Sequence, residues 1–212
     1  MSTSFTFDSF AASHRALIEE VEKRVKASRF THTLAVARES VFMANAFALS
    51  ESDAKRLFVA AILHDVTKSL TEKEHICLAR ELRISLSEDD LASPPTLHAL
   101  TGAAVAERDF APFTDPIVCK AIASHTVGGD RMTLVDKLLF LADYIEETRK
   151  HPICIQTREA FHQALLSDED KKTLLDRFVL SVCQNTVDYL VKDGKPIHPQ
   201  TEKTIESLTK KQ

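Results

Sequence analysis

Apolar residues return every three or four positions along almost the whole chain, and no two-residue alternation runs beyond four residues. A stripe of that period is one face of an amphipathic helix, whereas a half-buried strand alternates every second residue. Four glycines in 212 residues are too few for the many turns of a sandwich or barrel. The chain is therefore expected to be all-α, a bundle of about eight to nine helices, long enough to bury a sizeable core.

Punctuation sets the helix ends. Helices are expected over 13–27, from Phe30 to Ala48, and from a Ser52 or Asp53 cap to the neighbourhood of His64-Asp65. Others follow at 72–82, 97–109, 116–124, 132–147, 158–166 and 173–191. Ser93-Pro94-Pro95 is a break, Asp115-Pro116 is a cap with Pro at the first helical position, and Gly194 offers a left-handed stop. Residues 1–28 read as an N-terminal helical extension, and 29–212 as one domain with its C-terminal helices.

Bulk chemistry narrows the function classes. A net charge of −4 gives no general attraction to nucleic acid or anionic membrane, so an anionic substrate needs a locally positive site. No apolar run reaches the length of a membrane span, and MSTSFTFDSF lacks the basic start and apolar core of a secretory signal. Cys77, Cys119, Cys154 and Cys183 are far apart and form no C-x-x-C, which suits free thiols in a reducing compartment. A cytoplasmic protein is the expectation. Oligomeric state stays open, with a homodimer as one alternative.

The histidines carry more information. His32 falls in the first turn of a helix, His64-Asp65 and His125 close helices, and His98 opens one. Helix ends can meet at one end of a bundle. Imidazole mixed with carboxylate suits a borderline divalent metal, which would acidify water and polarise a phosphoryl oxygen. Each residue also has a plainer reading. A single His-Asp pair arises easily by chance, and His98 or His125 alone reads more readily as a capping or partly buried structural histidine. Asp143 also reads as part of a solvated stripe with Asp136, Phe140 and Glu147. His14, His75, His151 and His162, among charged neighbours, are expected at the surface. No phosphate-binding glycine loop, nucleophile elbow or H-E-x-x-H competes, and no cysteine adjoins a histidine.

Six blocks in order decide between these readings: RFTHTLAVA from Arg29, AAILHDVTK from Ala60, LHALTGA from Leu97, IASHT from Ile122, LVDKLLFLADYIE from Leu134, and NTVDYLVKDGKPIHPQT from Asn185. Together they resemble the HD-domain superfamily of metal-dependent phosphohydrolases, and within it the YqeK branch, from about Arg29 to Thr201. The resemblance implies a helical HD fold, bound iron, and hydrolysis of diadenosine tetraphosphate to two ADP, the activity of a symmetrical bis(5'-nucleosyl)-tetraphosphatase. It assigns His32, His64, Asp65 and Asp143 to one or two iron ions, with manganese or cobalt as substitutes. Asp65 and Lys68 would be catalytic, Asp65 as ligand and proton acceptor. His98 and His125 would contact phosphate or complete a second metal site, phosphate contact being favoured. Lys68, Arg29 and Arg149 would neutralise phosphate charge, and Asn185 and Thr186 would touch the nucleotide. Lys68 shares a helical side with Asp65 if that helix continues one more turn.

The chain departs from the family pattern at Glu147-Thr148 and at Gln184, neither of them a proposed metal ligand. His198 reads as structural. Two alternatives stay alongside: an HD-superfamily phosphohydrolase acting on another nucleotide, and a nucleotide-binding sensor or assembly factor with weak turnover.

Overall fold

Thr6, Ser50, Thr71, Asp115 and Thr133 each turn a side-chain oxygen onto the free N–H groups that follow, and five helices start there. In the computed structural model, which describes residues 4–210, twelve α-helices and one short 3-10 turn make up the regular structure. They are α1 (Phe7–Ser13), α2 (Arg15–Arg24), α3 (Ala27–Ala46), α4 (Glu51–Leu63), α5 (Glu72–Glu81) and α6 (Glu88–Ala92). After the 3-10 turn Pro94–Thr96 come α7 (Leu97–Asp109), α8 (Pro116–Ser124), α9 (Leu134–Ile145), α10 (Pro152–Ala164), α11 (Lys171–Lys192) and α12 (Pro199–Thr209). No strand occurs among the described residues. The all-α class is as expected, and the helix count exceeds eight to nine. Three short or polar helices account for the excess: α1 breaks from α2 at His14, and α6 and α12 are too polar to show a clear apolar stripe.

α4 is the centre of the bundle. Every residue from Leu57 to Leu63 is buried, because α3, α8 and α9 all pack on it. A helix apolar on all sides belongs inside a fold, so its last residues emerge in the interior and not at the surface. His64 and Asp65 inherit that position. α9 is the second interior helix, tied to α11 by a buried ion pair between Lys137 and Asp176. The solvated stripe considered for Asp136, Phe140 and Asp143 does not exist. Asp136 is fully buried as the capping-box partner of Thr133 and lies 3.0 Å from the Lys120 ammonium, and Phe140 is buried too.

Phe10, Leu17 and Val21 belong to the same core as α3 and α4, with Phe10 stacked on Phe58 at 5.3 Å between ring centroids. Residues 7–24 therefore pack directly on the central helix. His14 and His75, both expected at the surface, are buried. His14 pairs its Nδ1 with the Phe10 carbonyl and sits against the Phe58 ring. His75 pairs its Nδ1 with the Thr101 hydroxyl. Charged sequence neighbours point away around the helix while these two rings point in.

At the other end, α12 lies on the turn after α8, where Gly128 has φ of +78° and Thr204 crowds the place a Cβ would take. Among the described residues, no helix is long and apolar enough to cross a membrane.

Candidate metal centre

Six side chains converge where the ends of α4, α8 and α9 meet the N-terminal parts of α3 and α7. His64 and Asp65 follow the last residue of α4, His125 follows α8, Asp143 lies in the last turn of α9, His32 in the second turn of α3, and His98 second in α7. Three helix C-termini thus point their partial negative charge at one place, which favours a cation there.

Hydrogen bonding fixes all four rings the same way. Nδ1 of His64 donates to the Ala61 carbonyl (2.8 Å), that of His125 to Ile122 (2.6 Å) and that of His98 to Pro95 (2.8 Å). Nδ1 of His32 donates to Glu146 Oε1 at 3.0 Å. With the proton held on Nδ1, each Nε2 offers a lone pair to the common space. The Nε2 atoms of His32 and His64 come within 3.3 Å, and those of His98 and His125 within 3.1 Å. Acceptors facing acceptors at such distances call for a cation or a shared proton between them.

The carboxylates join the two histidine pairs. Asp143 Oδ1 lies 3.0 Å from His32 Nε2 and 3.8 Å from His64 Nε2. Asp65 Oδ2 is 3.4 Å from His64 and 3.6 Å from His32, while its Oδ1 is 3.3 Å from His98 and 3.7 Å from His125. That Oδ1 is buried with no hydrogen-bond partner, an orphan acceptor of the kind that a native site retains for an ion or water. Two groups have ligand atoms close enough to share an ion: His32, His64 and Asp143, and His64, Asp65 and His125. The donor set fits a divalent metal of borderline hardness.

Charges around the centre reinforce it. Burial alone would raise the Asp65 carboxyl, but the histidines around it, His64 first, hold it well below the usual carboxylate range. Burial opposes ionisation of Asp143 as well, and Arg149 with His32 outweighs it. Both acids are anions. His98 is pushed well down by burial, then by His125 and Lys68, so its ring is neutral. His32 behaves differently: burial pulls it down, but its hydrogen bonds to Asp143 and Glu146 win and raise it. A cation at its Nε2 therefore competes with a proton.

Three cations ring the acceptors. Arg29 donates to Asp65 Oδ2 at 2.7 Å, Arg149 to Asp143 Oδ1 at 2.5 Å, and Lys68 Nζ lies 3.0 Å from His98 Nε2. Lys68 arrives by a different route from the extra helical turn expected. α4 stops at Leu63, and i→i+3 bonds from Val66, Lys68 and Leu70 tighten the next six residues into turns. The Thr67 hydroxyl donates to the His98 carbonyl at 3.0 Å and ties this segment to α7. Arg29, Lys68, His98, His125, Arg149 and Thr186 all line one polar cavity of about 170 Å³. Asn185 does not line it and instead lies beside Tyr144, which does.

Two contributors escaped the sequence reading. Thr126 Oγ1 lies 3.0 Å from His98 Nε2 and 3.1 Å from His125 Nε2, and with Lys68 on His98 its one hydrogen is free for His125. Glu146 is fully buried and orients His32, and the Thr148 hydroxyl and N–H hold its carboxylate in turn. The departure at Glu147-Thr148 thus supplies the hydroxyl that steadies Glu146. Its sequence signal was slight: a second acid three residues beyond Asp143. Outer partners of ligating histidines are usually worth about 10–100-fold in metal affinity. Glu146→Ala is expected to weaken metal binding by about that factor, measured by competition with a chromogenic chelator; unchanged affinity would remove Glu146 from the site.

Residues 29–148 match the family model for the HD domain. The chain is 31% identical to a bis(5'-nucleosyl)-tetraphosphatase, symmetrical, of Halalkalibacterium halodurans, over 90% of this chain and 94% of that protein. The protein of the same name from Bacillus subtilis is 30% identical over 85% of this chain and 89% of its own length. That of Staphylococcus aureus is 27% identical, over 88% of each. In three dimensions the chain resembles a crystal structure of an HD-superfamily hydrolase from Clostridium acetobutylicum, described as involved in NAD metabolism. The TM-score is 0.80 at 23% identity, covering 99% of this chain and all of that one. At that identity the likeness speaks for the fold alone.

Proposed function

This chain belongs to the HD-domain family, in the branch of its symmetrical bis(5'-nucleosyl)-tetraphosphatase relatives, and from that premise we propose that it is a metal-dependent hydrolase cleaving diadenosine tetraphosphate into two ADP. The observation that carries the reading is the set of four histidine Nε2 atoms and two carboxylates, ringed by Arg29, Lys68 and Arg149. Acceptors at the centre suit a cation, and cations at the rim suit polyphosphate.

His32, His64, Asp65 and Asp143 would hold the metal, and iron is our assignment, with manganese or cobalt able to substitute. When bound, it supplies Lewis acidity, lowering the pKa of water and drawing charge from a phosphoryl oxygen. Water adds across the central P–O–P bridge: a new P–O bond forms at one inner phosphorus and the bridging oxygen leaves with the other ADP. Arg29, Lys68 and Arg149 balance the charge that spreads over the phosphoryl oxygens, and their positions are set before substrate arrives. Arg149 suits this role because its planar fork can hold two oxygens at once.

Asp65 Oδ1 accepts the hydrogen of the attacking water. That oxygen is buried without a hydrogen-bond partner, and the proton taken there passes to the departing ADP oxygen. His98 and His125 act on phosphate through Lys68 and Thr126, whose hydrogens their Nε2 atoms accept, and a second ion is disfavoured because those lone pairs are already taken. Thr186 reaches the nucleotide from α11, with Asn185 acting through Tyr144. We take residues 29–212 as the working unit and 1–28 as an extension, of which Phe10, Leu17 and Val21 join the core, and the four free cysteines fit a reducing cytoplasm.

The test is product analysis of diadenosine tetraphosphate incubated with iron-reconstituted protein. ADP as sole product is expected. ATP plus AMP would refute symmetrical cleavage, and tight binding with no turnover under any metal would replace the enzyme with a sensor.

A further inference from the structure

A second cavity adjoins the phosphate-sized one. It is larger, about 420 Å³, within the usual range for small-molecule sites. The two share Lys68, Thr126 and Thr186 in their walls. Beyond that neck the chemistry changes. Pro94, Pro95, Val127, Leu190 and Pro196 supply apolar surface, and Ser93, Thr96 and Lys195 supply polar groups. No carboxylate is among the residues that line it.

Its far side is made by the segment from Lys195 to Thr201, which is tied down at two points. The Thr201 and Thr204 hydroxyls donate to the Val127 carbonyl at 3.4 and 3.3 Å. His198 reaches across to α6. Its Nδ1 accepts from the Gln200 N–H at 3.1 Å, which leaves the proton on Nε2, and Nε2 donates to Asp90 Oδ1, also at 3.1 Å. Asp90 stands three residues before Ser93, and His198 two after Pro196, so this pair joins two walls of the cavity that are far apart in sequence.

We infer that this apolar cavity receives one nucleoside of the substrate while its phosphates lie in the adjoining polar one, and that His198 with Asp90 is a positioning pair that holds the nucleoside cavity closed. The inference rests on the polyphosphate reading of the metal centre. A nucleoside matches the lining: flat apolar faces to lie against prolines and Leu190, and polar edges for Ser93, Thr96 and Lys195. Continuity through Lys68, Thr126 and Thr186 makes it the group that follows the phosphates. His198 thus gains a role beyond the structural one.

The experiment is titration calorimetry on the metal-reconstituted full chain, with ADP and pyrophosphate as probes. Leu190→Trp fills the cavity and is expected to weaken ADP about tenfold or more while pyrophosphate changes by less than about twofold. Leu190→Ala, a milder change, should weaken ADP in the same selective way. His198→Ala and Asp90→Ala should each weaken ADP several-fold, and the double variant no more than either alone, since both break one contact. Retained pyrophosphate binding reports an intact fold and metal centre in each variant. Equal loss of both probes in the two Leu190 variants, or ADP binding insensitive to both, overturns the inference. So does wild-type protein that binds ADP no tighter than pyrophosphate. Selective ADP binding without hydrolysis of diadenosine tetraphosphate would sink the proposed reaction and leave the nucleoside cavity standing. Hydrolysis with ADP binding insensitive to Leu190 would do the reverse.

Discussion

Replacing Asp65 by alanine is expected to lower kcat/KM for diadenosine tetraphosphate by a factor on the order of 1,000 and to strip the protein of bound metal. The reasoning is geometric. Asp65 is the one side chain of the centre that faces both histidine pairs, Oδ2 toward His32 and His64 and Oδ1 toward His98 and His125. It also anchors Arg29. Loss of an outer partner usually costs about 10–100-fold, so loss of a ligand that serves both pairs should cost more. The fold should survive, because Asp65 lies in a turn past the end of α4 and contributes no apolar packing to the core. Steady-state kinetics and metal content on the same preparation, with a thermal melt as control, decide it. Activity within about tenfold of wild type would mean that the chemistry happens elsewhere. Asp65→Asn sharpens the result: it keeps the shape and removes the charge, so a loss matching that of alanine assigns the effect to charge.

The helical class was legible because periodicity is local and every helix repeats it. Boundaries were legible where a residue type forces them: α7 starts just after Pro94-Pro95, and α8 at Pro116 behind the Asp115 cap. α10 begins at Pro152 and not at the expected Arg158: its first turn, Pro-Ile-Cys-Ile, is apolar without a helical stripe, and the start signal that Pro152 offers was passed over. α12 stayed hidden for a related reason. Its buried residues are Thr201, Thr204 and Leu208, and two threonines do not read as a hydrophobic stripe.

The centre was legible as a list of residues and not as an arrangement. His32, His64, Asp65, His98, His125 and Asp143 do come together, yet local periodicity alone could not separate Asp143 from a solvated stripe, and only the resemblance over six blocks favoured the site. What settles its surroundings is that α9 is buried from Val135 to Ala142, a fact of tertiary packing. The same limit explains His14 and His75, whose burial is set by Phe58 and Thr101, distant in sequence. Glu146 and Thr126 were missed because an orienting hydrogen bond leaves no spacing rule behind. The interior position of the centre follows from one legible thing, the run from Leu57 to Leu63. A helix that cannot face water must end inside, and what it ends on is His64-Asp65.

That interior position sets up the second large effect: removing the metal should lower the melting temperature by about 8–16 °C. Without a cation, the folded state holds the His32 and His64 Nε2 lone pairs 3.3 Å apart and an orphaned Asp65 Oδ1. Each is a buried polar group that water satisfies in the unfolded chain. The ligands come from α3, the end of α4 and α9, so unfolding scatters them, and the ion binds the native state alone. Linkage then gives about 4 kcal/mol when metal is near 1,000 times its Kd. For a chain of this size each kcal/mol moves the melt by about 2–4 °C. Arg29 and Arg149 already neutralise both carboxylates, so the metal-free protein should melt lower and still melt cooperatively. The measurement is calorimetry on metal-loaded protein, on chelated protein, and on chelated protein with metal restored. Asp65→Ala should melt at one temperature in all three states. Equal melting of loaded and chelated wild type, with metal content verified, would mean that the converging acceptors are satisfied by protein alone, and the cation would lose its place in the fold.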